Sequence, residues 1–225
     1  MDILVLDKIC KSYGDGEGLR TVLKDVSLTV AEGEFIAVTG PSGSGKTTLL
    51  KIMGSLLAPD SGKCFIDGED ISACPDLPGL RNRRIGFVFQ DHRLLPQLSV
   101  LQNVLLPALA GDREAPQDTV QYARRLLEYA GISELEERYP ENISGGEASR
   151  VALCRALVMK PQLILADEPT GQLDHDNAIN IAQLLKTVSR DFNTAVVMVT
   201  HSDEVAALAD RQISLYKLNE NTAHN

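Results

Sequence analysis

"GPSGSGKTTLL" (residues 40–50) decides the fold. It follows the apolar run "EFIAVT" (34–39) and leads into "KIMGSLL" (51–57). The pattern G-x-x-x-x-G-K-[ST] between a short strand-like run and a helix-like one is the phosphate-binding P-loop. Glycines accept backbone angles that other residues resist, so the loop can turn its N–H groups inward onto an anion. The helix that starts near Gly45 adds its positive N-terminal end. Lys46 is placed to reach the β- and γ-phosphates of a nucleotide, and Thr47 to hold Mg²⁺ through its hydroxyl. Gly40, Pro41, Ser42, Gly43, Ser44, Gly45, Lys46, Thr47 and Thr48 are therefore candidate nucleotide ligands.

A phosphate cradle used for hydrolysis needs a carboxylate for the metal and a group that positions water. "LILADEPT" (163–170) supplies both. Its apolar run ends in Asp167, at the carboxyl end of a buried strand, where ligands bind in sheets of this kind. Asp167 would accept a hydrogen bond from a Mg²⁺-bound water, and Glu168 would polarise the attacking water. "NISGGEAS" (142–149) is a third piece: Ser144, Gly145 and Gly146 open a helix and present N–H groups and a hydroxyl to an anion. A plain helix N-cap has the same geometry, so local sequence does not separate the two.

The chain has 225 residues and a formal charge of −9, with 44% hydrophobic, 24% charged and 4% aromatic residues. This is the composition of an ordinary globular domain. A surface built to wrap nucleic acid is usually basic, so nucleic acid is not an expected partner. No apolar run approaches the ~18 residues of a membrane span. "MDILVLDKICKSYGDGEG" lacks the basic and apolar regions of a secretory signal. Cys10, Cys64, Cys74 and Cys154 form no C-x-x-C pair and have no metal-ligand spacing, so they are expected to act as small apolar residues in a reducing cytosol.

"ILVLDKICKSY" alternates as an edge-type strand does, and "TVLKDVSLTV" (21–30) does the same. "EFIAVT", "KCFID", "RIGFVFQ", "LILADE" and "AVVMVTH" read as further strands. "LILAD" and "AVVMVT" are nearly continuous apolar, as in the centre of a parallel sheet covered on both faces. From about 92 to 160 the pattern turns helical. Val120, Ala123, Leu126, Leu127 and Ala130 recur at helical spacing, and Gly131 ends that helix. A second helix runs through "GGEASRVALCRALVMK", after "RYPENISGGE" read as a connecting loop. The polar tail "KLNENTAHN" is expected to fray. The coarse picture is an α/β core interrupted by a mostly helical lobe.

The chain resembles the nucleotide-binding domain of ATP-binding cassette (ABC) transporters over almost its whole length. "GPSGSGKT" is similar to that family's Walker A motif, "LILADE" to its Walker B motif and "ISGGE" to its signature motif. By the same resemblance, Tyr13 in "KSYG" stacks on adenine, and Gln90 in "FVFQ" senses Mg²⁺ and the transmembrane partner. Asp174 in "GQLD" matches the D-loop aspartate, and His201 in "VTHS" the switch histidine that contacts the γ-phosphate. His92, His175 and His224 match nothing. Two departures are mild: Ile143 stands for leucine, and Glu147 for glutamine, which adds charge in the first helical turn beside the expected ATP.

The resemblance implies an α/β P-loop NTPase core with a mostly parallel sheet, an antiparallel β subdomain and an inserted α-helical lobe. It implies one domain over 1–225, with the core and β subdomain in 1–91 and 160–225 and the signature-bearing lobe in 92–159. ATP and Mg²⁺ are the implied cofactors. An ATP-dependent head-to-tail homodimer is implied, each site joining Walker A, Walker B, Gln90 and His201 of one chain to Ser144, Gly145 and Gly146 of the other.

"IGFVFQDHRLLPQLSVLQNVLLPAL" (85–109) and "DEPTGQLD" resemble the lipoprotein-releasing and macrolide-exporting branch (LolD/MacB type). That implies an ATPase on the inner face of the cell membrane, held there by separate permease subunits. A cell-division or signalling module that transports nothing would look similar. Pro96 and Pro107 prevent one regular helix over 92–109. Its surplus leucines, Leu94, Leu95 and Leu98 among them, are expected to line a groove for a short helix of the membrane partner.

Overall fold

The computed structural model describes residues 1–14, 18–110 and 114–220. The chain begins with β1 (Asp2–Tyr13), β2 (Arg20–Ala31), β3 (Phe35–Thr39), α1 (Lys46–Met53), β4 (Ser61–Ile66) and β5 (Glu69–Asp70). Then come α2 (Leu77–Arg84), β6 (Ile85–Phe89), α3 (Val100–Leu105), α4 (Gln117–Tyr129), α5 (Gly145–Leu157) and β7 (Leu163–Asp167). The last are α6 (His175–Asp191), β8 (Ala195–Val199), α7 (Asp203–Ala206), β9 (Arg211–Ser214) and α8 (Leu215–Glu220).

Five of the strands form a parallel sheet in the order β6-β7-β8-β3-β9. β7 and β8 lie inside it, and their alternate residues serve two cores. Ile164, Ala166, Val196 and Met198 face the cluster built with α3, α4, α5 and α6. Leu163, Leu165, Val197 and Val199 face the cluster built with α1, β1 and β2. Burial on both faces explains why these strands read as unbroken apolar runs. The apolar faces of α3, α4 and α5 thus share one core with a face of the sheet.

The other sheet is antiparallel in the order β2-β1-β4-β5. This corrects the edge reading of the first strand: β1 lies between β2 and β4, and β2 is at the edge. Ile3, Leu4, Leu6 and Ile9 are buried while Asp7 and Lys8 are exposed. A strand covered on one face alternates wherever it sits in its sheet, so alternation alone does not mark an edge.

The periodic residues of α4 behave as expected: Ala123, Leu126, Leu127 and Ala130 are buried and Val120 is half-buried. Gly131 has φ +69°. Its amide donates to Glu128 O at 2.9 Å and that of Ile132 to Leu127 O at 2.9 Å, the paired bonds of a Schellman stop. The 138–147 connection contains a 3₁₀ turn at Pro140–Asn142 and hands over to α5 at Gly145. Of the polar tail 217–225, residues 217–220 belong to α8 rather than to an irregular end. Buried Leu215 and half-buried Leu218 anchor that helix to the core; residues 221–225, with His224, lie outside the described residues.

Between α3 and the preceding loop sits a fully buried amide, Asn103. Its Oδ1 accepts from the Leu95 amide at 2.7 Å. Its Nδ2 donates to the carbonyls of Leu95, Leu98 and Ser99 at 3.0–3.1 Å. The sequence gives no sign of this clamp. Asn103→Ala leaves several backbone groups unpaired and is expected to cost about 3 kcal/mol of stability. Urea unfolding measures it; a loss below about 0.5 kcal/mol would mean the loop rehydrates freely.

Candidate active site

β3 ends at Thr39 and the chain turns through Gly40 (φ +150°), Gly43 (φ +75°) and Gly45 (φ +99°) into α1. Glycine is needed at 45: a Cβ there would lie 2.7 Å from Val22 Cγ1 and 3.1 Å from Val22 O. Gly45 caps α1 without any side-chain bond, so the helix's first amides remain for a ligand. Lys46 is 8% exposed, and its ammonium donates to the carbonyls of Gly40 (2.8 Å) and Pro41 (3.1 Å). Among the described residues no carboxylate pairs with it. The buried Ser44 Oγ has no hydrogen-bond partner. A buried cation, an uncapped helix start and an orphaned hydroxyl together fit a polyphosphate.

Thr47 Oγ1 donates to Asp167 Oδ1 at 3.2 Å, which joins the P-loop helix to the end of β7. Burial pushes the Asp167 carboxyl above its usual range, the Thr47 hydroxyl pulls it down, and the Glu168 charge adds to the rise. A hydroxyl and a carboxylate are oxygen donors, as Mg²⁺ requires. Among the described residues no cluster of three His, Cys, Asp or Glu could hold a metal alone. Mg²⁺ is usually held by one or two protein ligands plus substrate phosphates and water.

Glu168 adopts φ +47°, a conformation that costs a non-glycine residue roughly 1–3 kcal/mol. The surrounding bonds hold it there. Its amide donates to Val199 O at 3.0 Å. Its Oε2 accepts from the His201 amide at 3.3 Å and lies 2.9 Å from His201 Nδ1. The twist takes the carboxylate off the line of β7 and toward the P-loop. A cleft of about 340 Å³ is lined by Arg20, Val22, Gly43, Lys46, Thr47 and Glu168, with Ser42, Gly45 and Thr48 completing it. Tyr13, 45% exposed, ends β1 beside that cleft, its hydroxyl 3.4 Å from Thr48 Oγ1. Gln90 follows β6 and lines an adjoining cleft with Asp167 and Gln172.

The signature residues lie elsewhere. Ser144 caps α5 in a reciprocal box: its Oγ accepts from the Glu147 amide at 3.3 Å, and its own amide donates to Glu147 Oε2 at 2.6 Å. Those bonds hold the Glu147 carboxyl below the usual range. A Cβ on Gly146 would lie 3.0 Å from Asn177 Oδ1. Asn177 in turn donates its amide and Nδ2 to Asp174, at 2.9 and 2.7 Å. Ser144, Gly145, Gly146, Glu147 and Asp174 do not line the P-loop cleft. One chain therefore brings together Tyr13, the P-loop, Asp167, Glu168 and His201, and leaves the α5 N-terminus apart.

Two residues escaped the sequence reading. Arg20 lines the nucleotide-sized cleft together with Val22, and no pattern in the sequence marks it, because the β1–β2 register shifts between Thr21 and Leu23. Asn177 links Asp174 to the signature glycines, and only its distance in space shows it. One expectation is corrected. A groove of about 540 Å³ lies beside Phe89, but Leu56, Phe87, Phe89, Pro107, Ala110 and Met159 line its apolar part. Leu94, Leu95 and Leu98 do not. Asn103 bonds the backbone of Leu95 and Leu98, Leu95 is exposed at the surface, and Leu94 packs on the core.

Comparisons with known proteins meet the same residues. The family model described as ABC transporter matches residues 23–171. The "Lipoprotein-releasing system ATP-binding protein LolD" of Bordetella pertussis is 46% identical over 214 residues, 94% of this chain and 92% of that one. "LolD 1" of Rhodopirellula baltica is 45% identical over 218 residues, covering 96% and 93%. Among solved structures, the dimeric bacterial ABC transporter cassette MJ0796 superposes with a TM-score of 0.82 at 38% identity, over 94% of each chain. The same cassette in a dimeric post-hydrolysis state bound to ADP and Pi gives 0.82 at 37%, also over 94% of each chain. With its P-loop, its strand-end carboxylates and its helical segment between β6 and β7, the chain belongs to the ABC transporter family, as one of that family's ATP-binding subunits.

Proposed function

We propose that the chain is the Mg²⁺-dependent ATPase of a lipoprotein-releasing transporter of the LolD type. The observation that carries the chemistry is the meeting of Thr47 and Asp167 beside buried Lys46, with Glu168 held at the same cleft by His201. The P-loop amides and Lys46 hold the phosphates. Thr47, Asp167 and Gln90 serve Mg²⁺, which neutralises phosphate charge. Tyr13 offers a stacking face to the base. Glu168 takes up proton density from water, and His201 orients that carboxylate and reaches the γ-phosphate. The α5 N-terminus does not line the same chain's cleft, so Ser144, Gly145 and Gly146 serve the ATP of a second copy. That a cassette 38% identical to this chain is dimeric supports the presence of a second copy.

Separate membrane subunits complete the machine. Among the described residues no helix is long and apolar enough to cross a membrane. The groove beside Phe89 offers an apolar floor to a short helix of such a subunit, next to Gln90, which would carry the state of the ATP site to it. The chain then sits on the cytoplasmic face of the membrane through its permease. The names of the relatives are what favour lipoprotein release over a signalling or cell-division role.

Two experiments bear on this reading. Lys46→Ala removes the cation that the phosphates face and is expected to abolish most nucleotide binding, read by calorimetry with ATP and Mg²⁺; full ATP turnover in excess chelator would contradict the metal role. Leu56, 48% exposed at the groove, is the place to test docking. Leu56→Glu should sharply reduce recovery with the membrane fraction while ATP binding persists, whereas Leu95→Glu should not. The reverse order of effects would move the docking surface to the 94–98 loop.

A further inference from the structure

We propose that Arg20 is a second cation for the nucleotide, binding oxygens of the two phosphates that are not transferred, the α- and β-phosphates. This rests on the ATP site described above and adds a residue that the P-loop pattern does not contain. Arg20 and Val22 flank the point where the β1–β2 register shifts, between the Lys11–Leu23 and Ser12–Thr21 pairs, and both line the P-loop cleft. Val22 Cγ1 lies 2.7 Å from where a Cβ on Gly45 would be. Arg20 projects over the same loop. Its Nη2 lies 3.9 Å from the Cβ position of Gly43, and both residues line the cleft that holds Lys46 and Thr47.

The strand register says which end of the cleft this is. Arg20 is the direct partner of Tyr13 across β1 and β2. Arg20 thus starts beside the stacking tyrosine and reaches the phosphate loop at Gly43. Lys46 enters from the loop's own helix, and Glu168 closes the cleft at the β7 end. The position left for Arg20 is the stretch of phosphate chain nearer the base.

Charge agrees with geometry. The chain carries −9 overall, and Asp167 and Glu168 add negative charge where a polyanion has to bind. Lys46 alone is a small counterweight. Among the described residues no carboxylate lies within ion-pair distance of Arg20, so an internal ion pair among them does not account for its place. A guanidinium offers several donors in a fixed fork and suits neighbouring phosphate oxygens better than an ammonium does.

The test is calorimetric titration of the full chain, at low and at high salt, with MgATP, MgADP and MgGTP as probes. Arg20→Gln is expected to weaken all three by about tenfold at low salt, the size of one charge-assisted contact. The loss should shrink at high salt, where an exposed cation is screened. Arg20→Lys should recover part of it. Unchanged affinity for MgATP and MgADP in Arg20→Gln would overturn the proposal. So would a loss confined to MgATP, which would place Arg20 on the γ-phosphate, or a loss not shared by MgGTP, which would place it on the base. Thermal unfolding of the variant confirms that it is folded. Parental protein that binds no nucleotide, or a Lys46→Ala chain that binds like the parent, would instead strike the ATP site itself.

Discussion

Glu168→Gln is expected to bind MgATP with affinity close to the parent's and to hydrolyse it roughly 10²- to 10⁴-fold more slowly, the range for losing a positioned general base. The substitution is nearly isosteric and keeps an oxygen for the His201 amide. What it removes is the carboxylate, the acceptor for the proton that water gives up. Because binding survives and turnover does not, ATP should persist at the interface and the variant should accumulate as a dimer in size-exclusion chromatography with ATP. The nucleotide-free parent should run mostly as a monomer, since much of the bridge between copies is the nucleotide. Hydrolysis at the parental rate by Glu168→Gln would remove Glu168 from catalysis and return its strained backbone to a packing explanation.

Ser144→Arg is the second large effect. In the proposed dimer, Ser144 faces the γ-phosphate bound by the other copy, so the substitution should lower turnover at least a hundredfold, the scale for losing a preorganised donor at developing charge. The same chain's P-loop does not depend on it, since Ser144 does not line that cleft. MgATP binding by the monomer should therefore be retained. The variant also loses the bonds of the Ser144 hydroxyl to Glu147, a capping loss of about 1 kcal/mol, which the fold should tolerate. If the monomer instead lost ATP binding, the site would lie within one chain.

Much of this was legible in the sequence because a few residue types have few substitutes. The P-loop glycines, Lys46 and Thr47 stand next to each other, and strands buried on both faces announce themselves as apolar runs. Asp167 and Glu168 mark a strand end for the same reason. What the sequence withheld depends on tertiary neighbours. Alternation in β1 reports one covered face and not the number of flanking strands, so its place inside the antiparallel sheet could not be read. A surplus of leucines after Gln90 was no guide to the groove beside Phe89, which Leu94, Leu95 and Leu98 do not line. The groove's own lining comes from segments as distant as Leu56 and Met159. Arg20 was hidden differently: a single arginine on a strand acquires meaning only once Val22 is seen against Gly45.

The central claim is that each ATP site is built from two copies of this chain. Its most direct test mixes two inactive variants, Lys46→Ala and Ser144→Arg, and measures steady-state ATP hydrolysis with Mg²⁺. A mixed dimer carries one site in which the intact P-loop of the Ser144→Arg chain meets the intact α5 N-terminus of the Lys46→Ala chain. The mixture should therefore hydrolyse ATP well above the sum of the separate variants, with at most one working site per dimer. A mixture no more active than that sum, with both variants folded and Ser144→Arg still binding ATP, would contradict the two-chain site.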